Sequence, residues 1–331
     1  MVKKIRLSLF VLILFVIGCA SSNPIHTTDT VFMISPDDFA YNAQTAASNV
    51  FQHNDAPVLK VRNQAMEQFN TMVEKLQSEN IQVIQMKSRK HVKTPDAVFP
   101  NNWFSTHKDG KNGTILVLYP MLAPNRRAEL SPNLLRRKLE ERGIKILKTI
   151  DLTFYCKQDK ALEGTGSMVF DRVHKVAFAS LSPRTSRDVL EDFCKQLGYR
   201  SLAFHSYDKR GKLIYHSNVM MSVGTDFAVI CAESIKDENE KMKVLIELET
   251  LGKRIIKISS EQMEHMCGNI LELHDINGKK KIIMSTSAYN QFSLDQKKEL
   301  EKSGTILSFD VHTIENIGGG SVRCMVAEIF Y

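Results

Sequence analysis

The chain has 331 residues, 43% of them hydrophobic, and carries a formal charge of +7. This length allows one large domain or two ordinary ones, and the near-average composition excludes a disordered chain or a multi-span membrane protein. No basic run is interleaved with aromatic residues, which argues against a nucleic-acid partner.

In chain order, Lys3, Lys4 and Arg6 come first, ahead of an uncharged, mostly aliphatic run at 7–17. That is the layout of a signal peptide, and the run is too short to span a bilayer as a mature helix. It ends Val16-Ile17-Gly18-Cys19, which resembles a bacterial lipobox, whose cysteine becomes the acylated first residue of the mature chain. The expected organisation is a signal at 1–19 and a single domain over 20–331, exported and held to a membrane by lipid on Cys19. An ordinary cleaved signal and an uncleaved apolar start are the alternatives. Removing the leader takes away three cations and lowers the formal charge to +4.

Amphipathic helices are expected near 61–78, 128–142, 186–197, 237–251 and 293–302, at a loose period suggesting an internal repeat. A short apolar strand follows each, near 81–86, 144–147, 201–204, 254–258 and 305–309. Two strand-like runs precede each of the last four helices: 103–104 with 114–119, 167–170 with 175–180, 218–222 with 227–231, and 270–273 with 281–285. The first helix has only 31–35 ahead of it, and 322–329 at the far end of the chain could supply the missing partner. The chain thus reads as five β-β-α-β units, one of them closed by joining both ends. A ring of five such units makes a single propeller-like α/β domain; a doubly wound α/β sheet or two α+β domains are the alternatives.

Polar residues and glycines concentrate before the first strand of each unit. The segments are 94–104, 162–167, 215–220, 266–269 (Met-Cys-Gly-Asn) and 316–325. In a closed ring these positions face one axis, so Asp96, Glu163, His216 and Cys324 are expected to meet although distant in sequence. That is the spatial adjacency of a Cys–His enzyme. Taken singly, each residue has a plainer reading. His216 could be a satisfied core residue, Cys324 a core thiol in a C-terminal strand, and Gly164 and Gly166 parts of a turn. Gly318–Gly320 could be a flexible loop, and the absence of a following Lys-Ser/Thr rejects a phosphate cradle. The six cysteines (19, 156, 194, 231, 267 and 324) include no C-x-x-C pair and no zinc-finger spacing with histidine, so no metal or other cofactor is expected.

The motifs PDAVFPNNWFSTH from Pro95, LEGTGSMVFDR from Leu162, YHSNVM from Tyr215 and GGGSVRCM from Gly318 resemble the guanidino-group-modifying, or pentein, superfamily. That group contains arginine deiminases, dimethylarginine dimethylaminohydrolases and amidinotransferases, and the likeness is nearest to arginine-deiminase-related bacterial citrulline hydrolases. It covers nearly all of the mature chain and implies a five-bladed α/β propeller. It implies Cys324 as nucleophile, His216 as general acid/base, and Glu163 as support for the histidine or the substrate. Asp96 matches an aspartate holding the substrate's terminal nitrogens, and Arg126 and Arg127 match a pair of which one grips the substrate carboxylate. Arg184 or Arg187 is the counterpart of a second clamp.

Three positions depart from the resembled pattern, always from acid to neutral. Asn101-Asn102 stand for Glu-Asp, Gly164-Thr165-Gly166 lack the acid of Gly-Gly-Asp, and Asn218 replaces the Asp of His-x-Asp. A buried guanidinium calls for carboxylates, whereas a ureido group offers donors and one carbonyl, which asparagine amides satisfy. Hydrolysis of citrulline to ornithine, carbon dioxide and ammonia is therefore the leading expectation. The alternatives are an arginine deiminase or dimethylarginine hydrolase, an amidinotransferase, and a non-catalytic amino-acid-binding lipoprotein.

Overall fold

The computed structural model describes residues 26–49, 51–53, 57–109 and 113–331; the expected signal and Cys19 lie outside them. Among the described residues the strands form five three-stranded sheets. In each, an antiparallel pair is followed by a third strand parallel to the middle one. The sheets are Phe104–Asp109, Gly113–Leu118 and Ile146–Asp151; Val169–Asp171, Val176–Ser180 and Arg200–Phe204; Met221–Val223, Phe227–Ile230 and Arg254–Lys257; and Leu271–His274, Lys280–Ser285 and Thr305–Phe309. The fifth joins the chain ends, with Ala327–Glu328 antiparallel to Thr30–Ser35, which runs parallel to Gln82–Lys87.

A helix carries each middle strand to its parallel neighbour, as a parallel pair requires. Val58–Ser78 turns Val61, Ala65, Phe69, Met72, Val73 and Leu76 inward at helical spacing. Arg187–Leu197 buries Val189, Leu190, Phe193 and Cys194 and stops at Gly198, whose φ of +69° suits glycine. Glu238–Thr250 is capped by Asp237, and Leu294–Glu301 by a Ser293–Gln296 capping box. The helix expected over 128–142 is shorter, Pro132–Glu140, because Pro132 starts a helix afresh after the separate turn Pro124–Arg127.

Apolar side chains are shared between neighbouring sheets. Phe32 and Ile34 pack with Phe104 and Leu116, and Val117 and Ile150 with Phe170 and Ala177. Val176 and Phe178 join Met221, Ala228 and Ile282, while Leu271 and Leu307 return to Val31 and Met33. Each fully buried side chain of this size contributes about 1.5–3 kcal/mol.

The strands expected at 167–170 and 218–222 begin later than the sequence suggests. Single helical turns, Gly164–Ser167 and Ser217–Met220, occupy their first residues, and a 3₁₀ turn, Pro100–Asn102, precedes Phe104. A helical turn brings successive polar side chains close together where a strand would alternate them between faces. Cys324 likewise sits in a turn, with its amide donating to the Ser321 carbonyl at 2.9 Å, and not in a strand.

Candidate active site

These short turns deliver the polar residues. The Glu163 carboxylate is 1% exposed. It accepts from the Leu122 amide at 3.0 Å and from His216 Nε2 at 2.8 Å, with Arg184 Nη1 at 3.5 Å. Burial pushes its carboxyl up, but Arg184 and the bond and charge of His216 outweigh that and hold it at about 2. Burial in turn lowers His216 to about 4 despite the carboxylate beside it. The pair is therefore an ionised Glu163 and a neutral imidazole donating from Nε2, which leaves Nδ1 as the basic nitrogen. Gly166 is required by this packing: a Cβ there would lie 2.4 Å from Asn102 Nδ2 and 2.7 Å from His216 Nδ1.

Cys324, 4% exposed, takes hydrogen bonds on its sulfur from Asn218 Nδ2 at 3.4 Å and Asn269 Nδ2 at 3.2 Å. Its turn is pinned by Arg323, which reaches the Val326 carbonyl at 3.1 Å and Glu328 at 2.7 Å. Ser321 bonds to Glu315 of the preceding helix, His312–Gly318. Gly318–Gly320 form no loose loop. Gly319 has φ +66° with the Asn49 amide where a Cβ would go, and Gly320 lies between Phe99 and Cys324. The four other described cysteines are also unpaired, but burial raises their thiols, those of Cys194 and Cys267 to about 12.

The Tyr215 hydroxyl donates to the Gly319 carbonyl, and after burial its ionisation responds to Cys324, Arg184, Asp96 and Glu163. The His216 ring lies 4.7 Å from the Tyr215 ring, centroid to centroid, so all four residues expected to converge lie near this phenol. Asp96 Oδ2 accepts from Asn42 at 2.7 Å and Thr45 at 3.0 Å, while Oδ1 is buried with no partner. Burial raises its carboxyl, opposed by Arg126 and these two donors. Both amide atoms of Asn101 and Oδ1 of Asn218 are likewise buried and unpartnered. Asn102 differs: its oxygen takes Arg126 Nη1 at 2.7 Å, and its amide nitrogen lies 3.5 Å from the Glu163 carbonyl.

The arginines expected to clamp a carboxylate differ in how they are placed. Arg126 makes a two-pronged bond to Glu129, both at 2.9 Å, and also reaches the Asp96 and Phe99 carbonyls. Its guanidinium braces the 96–102 turn from inside. Arg127, half-buried, donates to the Met121 and Leu122 carbonyls. Arg184 is buried on Glu163, Ser48 and the Thr45 carbonyl. Arg187 is exposed at the start of its helix, and no hydrogen bond or ion pair among the described residues joins it to the cluster.

Sequence reasoning missed two contributors. Asn269 lay in the Met-Cys-Gly-Asn segment, whose shared phase with the other polar segments was the available signal. The residues 42–53 carried none, since they show no periodicity. Asn42 and Thr45 reach Asp96, Ser48 reaches Arg184, and Asn49 and Gln52 bond the Gly318 carbonyl at 3.3 and 2.9 Å. They tie this segment to the cluster by hydrogen bonds. Among the described residues no group of three or more His, Cys, Asp or Glu is placed to hold a metal ion.

A buried cysteine held by amides and a neutral histidine oriented by a carboxylate, carried on five three-stranded sheets, make up the candidate site. A family model described as "N,N dimethylarginine dimethylhydrolase, eukaryotic" matches residues 35–331, and the chain belongs to that family. No curated protein matches the sequence. Its fold is similar to that of ArgZ, an arginine dihydrolase of cyanobacteria, at 17% identity and TM-score 0.69 over 91% of this chain. The chain spans only 41% of full-length ArgZ. Against the substrate-bound N-terminal domain of ArgZ it spans 97%, at 19% identity and TM-score 0.68 over 90% of this chain. It is also similar to the dimethylarginine hydrolase of Pseudomonas aeruginosa in complex with citrulline, at 14% identity and TM-score 0.61, covering 92% of this chain and all of that one.

Proposed function

We propose that the chain hydrolyses the ureido group of a citrulline-like amino acid through a covalent intermediate on Cys324. The observation that carries this is the set of orphaned atoms: three acceptors (Asp96 Oδ1, Asn101 Oδ1 and Asn218 Oδ1) and one donor, Asn101 Nδ2. Buried polar atoms are rarely left unpaired, so these await a ligand. A guanidinium offers only donors and would leave Asn101 Nδ2 unsatisfied, whereas a ureido carbonyl accepts from it. Arg127, the least committed of the arginines beside the site, is the proposed partner of the substrate carboxylate.

The sulfur attacks the ureido carbon as its thiol proton passes to His216, the C–N bond to the terminal nitrogen breaks, and that nitrogen leaves as ammonia carrying this proton from the histidine. Water then adds to the resulting thiocarbamate with neutral His216 as base. The C–S bond breaks, and the released carbamate falls apart to ornithine and carbon dioxide. One water is consumed. The unpartnered carboxylate oxygen of Asp96 favours a second reading, in which arginine is bound first and converted to citrulline with loss of ammonia. Ornithine release from citrulline is expected to outpace citrulline release from arginine when both are assayed on the detergent-solubilised protein. Faster arginine turnover would remove the Asn101 argument.

We infer also that the five sheets close as a five-bladed propeller, because each neighbouring pair shares a core and both chain ends complete one sheet. Strands Met221–Val223 and Leu271–His274 then run from the site to the opposite end, where His26 Nε2 bonds the Val223 carbonyl at 2.9 Å and Thr27 bonds His274 at 2.7 Å. Seven residues lead from Cys19 to His26, a reach of at most about 25 Å. With Cys19 acylated, the site would face away from the bilayer. Cys19→Ser is expected to move the protein from the membrane to the soluble fraction; a wild-type chain already soluble after export would refute the anchor.

A further inference from the structure

We infer that Asn269 is a catalytic residue, and that its side-chain amide, together with that of Asn218, is the donor pair that stabilises the Cys324 sulfur as negative charge develops on it. The inference deepens the proposed hydrolase reading and rests on it for the role of the sulfur.

Three bonds fix the orientation of the Asn269 amide. Its Oδ1 accepts from the Arg323 backbone N–H at 3.1 Å, and its Nδ2 donates to the Asn218 carbonyl at 2.9 Å and to the sulfur at 3.2 Å. A flipped amide would set oxygen against a carbonyl and nitrogen against an N–H, so the donor faces the sulfur. Asn269 is 1% exposed, so the bond lies away from bulk solvent. The same residue bridges to Asn218, the second donor at 3.4 Å, so the two amides form one rigid cradle. Gly268 permits this approach: a Cβ there would lie 2.2 Å from the Val219 carbonyl oxygen.

Cationic alternatives are committed elsewhere. Arg323, on the same turn as the sulfur, is paired with Glu328, and Arg184 with Glu163. His216, facing from the turn at 217–220, is neutral and donates to Glu163. Tyr215 donates to Gly319, and the nearby Asp96 brings no positive charge. With Arg323, Arg184 and His216 so engaged, neutral amide donors remain to stabilise negative charge on the sulfur. Such charge-assisted bonds are roughly twice as strong as neutral ones.

The test is the rate at which iodoacetamide alkylates Cys324, read by mass spectrometry of its peptide across pH on the intact protein. Asn269→Ala is expected to slow alkylation at pH 7 about tenfold, with the wild-type rate recovered at higher pH. Asn269→Asp, which keeps the shape and the Arg323 bond but replaces the donor with an anion, should slow it further. His216→Ala should leave the profile within about twofold of wild type. Wild-type alkylation in both Asn269 variants would overturn the inference, as would a His216→Ala slowing equal to theirs. Where Asn269→Ala unfolds, the shape-conserving Asn269→Asp and the separate Asn218→Ala carry the test. Alkylation needs no turnover, so a protein inactive on citrulline and arginine that still shows this pattern would sink the substrate reading alone.

Discussion

Cys324→Ser is expected to lower turnover by at least about 10⁴-fold, with a melting temperature within a few degrees of wild type. The expectation follows from what the sulfur touches. Two amide donors and a closed, dry surrounding suit a polarisable thiolate, while a serine hydroxyl in the same place stays protonated at neutral pH and attacks poorly. The turn itself is held by the Arg323 and Ser321 contacts, which the substitution leaves in place. The check is a paired measurement: steady-state ammonia release, and mass spectrometry for a substrate adduct on the 318–331 segment. Wild type should show the adduct under single-turnover conditions and the serine variant none. A variant retaining a tenth of the activity would remove Cys324 as nucleophile.

Glu163→Gln is expected to act on both stability and rate. The glutamine can keep the Leu122 amide bond but leaves the Arg184 guanidinium, 3% exposed, without its counter-charge. Breaking one side of a buried charged pair costs about 3–5 kcal/mol, readable as a lowered denaturant midpoint. The rate should fall about 10²- to 10⁴-fold as His216 loses the acceptor that sets its tautomer. The pH dependence has a definite sign. Glu163 lies at about 2 in the fold against an ordinary 4.5, so its stabilisation is full above 4.5 and vanishes as pH falls toward 2. His216 lies at about 4 against 6.5, so the folded protein loses stability as pH falls from 6.5 to 4. The variant should lose the Glu163 part alone. Because the carboxylate raises His216, its removal should also move the acid limb of activity to lower pH; a limb moving upward would refute the pairing.

The architecture was largely legible because it rests on local pattern. Helical spacing in 58–78 and 187–197 and the β-rich runs around them follow from which side chains must face a core, and the five-fold recurrence follows from repeating that requirement. Motif phase brought Asp96, Glu163, His216 and Cys324 to one place for the same reason. The sequence could not show how the arginines are used. Arg126 and Arg127 are adjacent, yet one turns into the protein to meet Glu129 and the other lies half-exposed on carbonyls. Nothing local separates those fates, since burial of a cation depends on a carboxylate brought up by packing.

The amide–sulfur geometry belongs to the same category. Asn101 and Asn102 are identical neighbours, but a 3₁₀ turn sends one to Arg126 and leaves the other empty-handed in the site. Asn269 and Cys324 are 55 residues apart and meet only because two sheets share a core. By itself the sequence determined the helices, the strands, their five-fold order and the four residues that share a phase, because periodicity encodes which way a side chain points. Only the tertiary structure decided which polar atoms are paired and which are left waiting, because a hydrogen bond needs positions good to a fraction of an ångström, and packing between distant segments sets those.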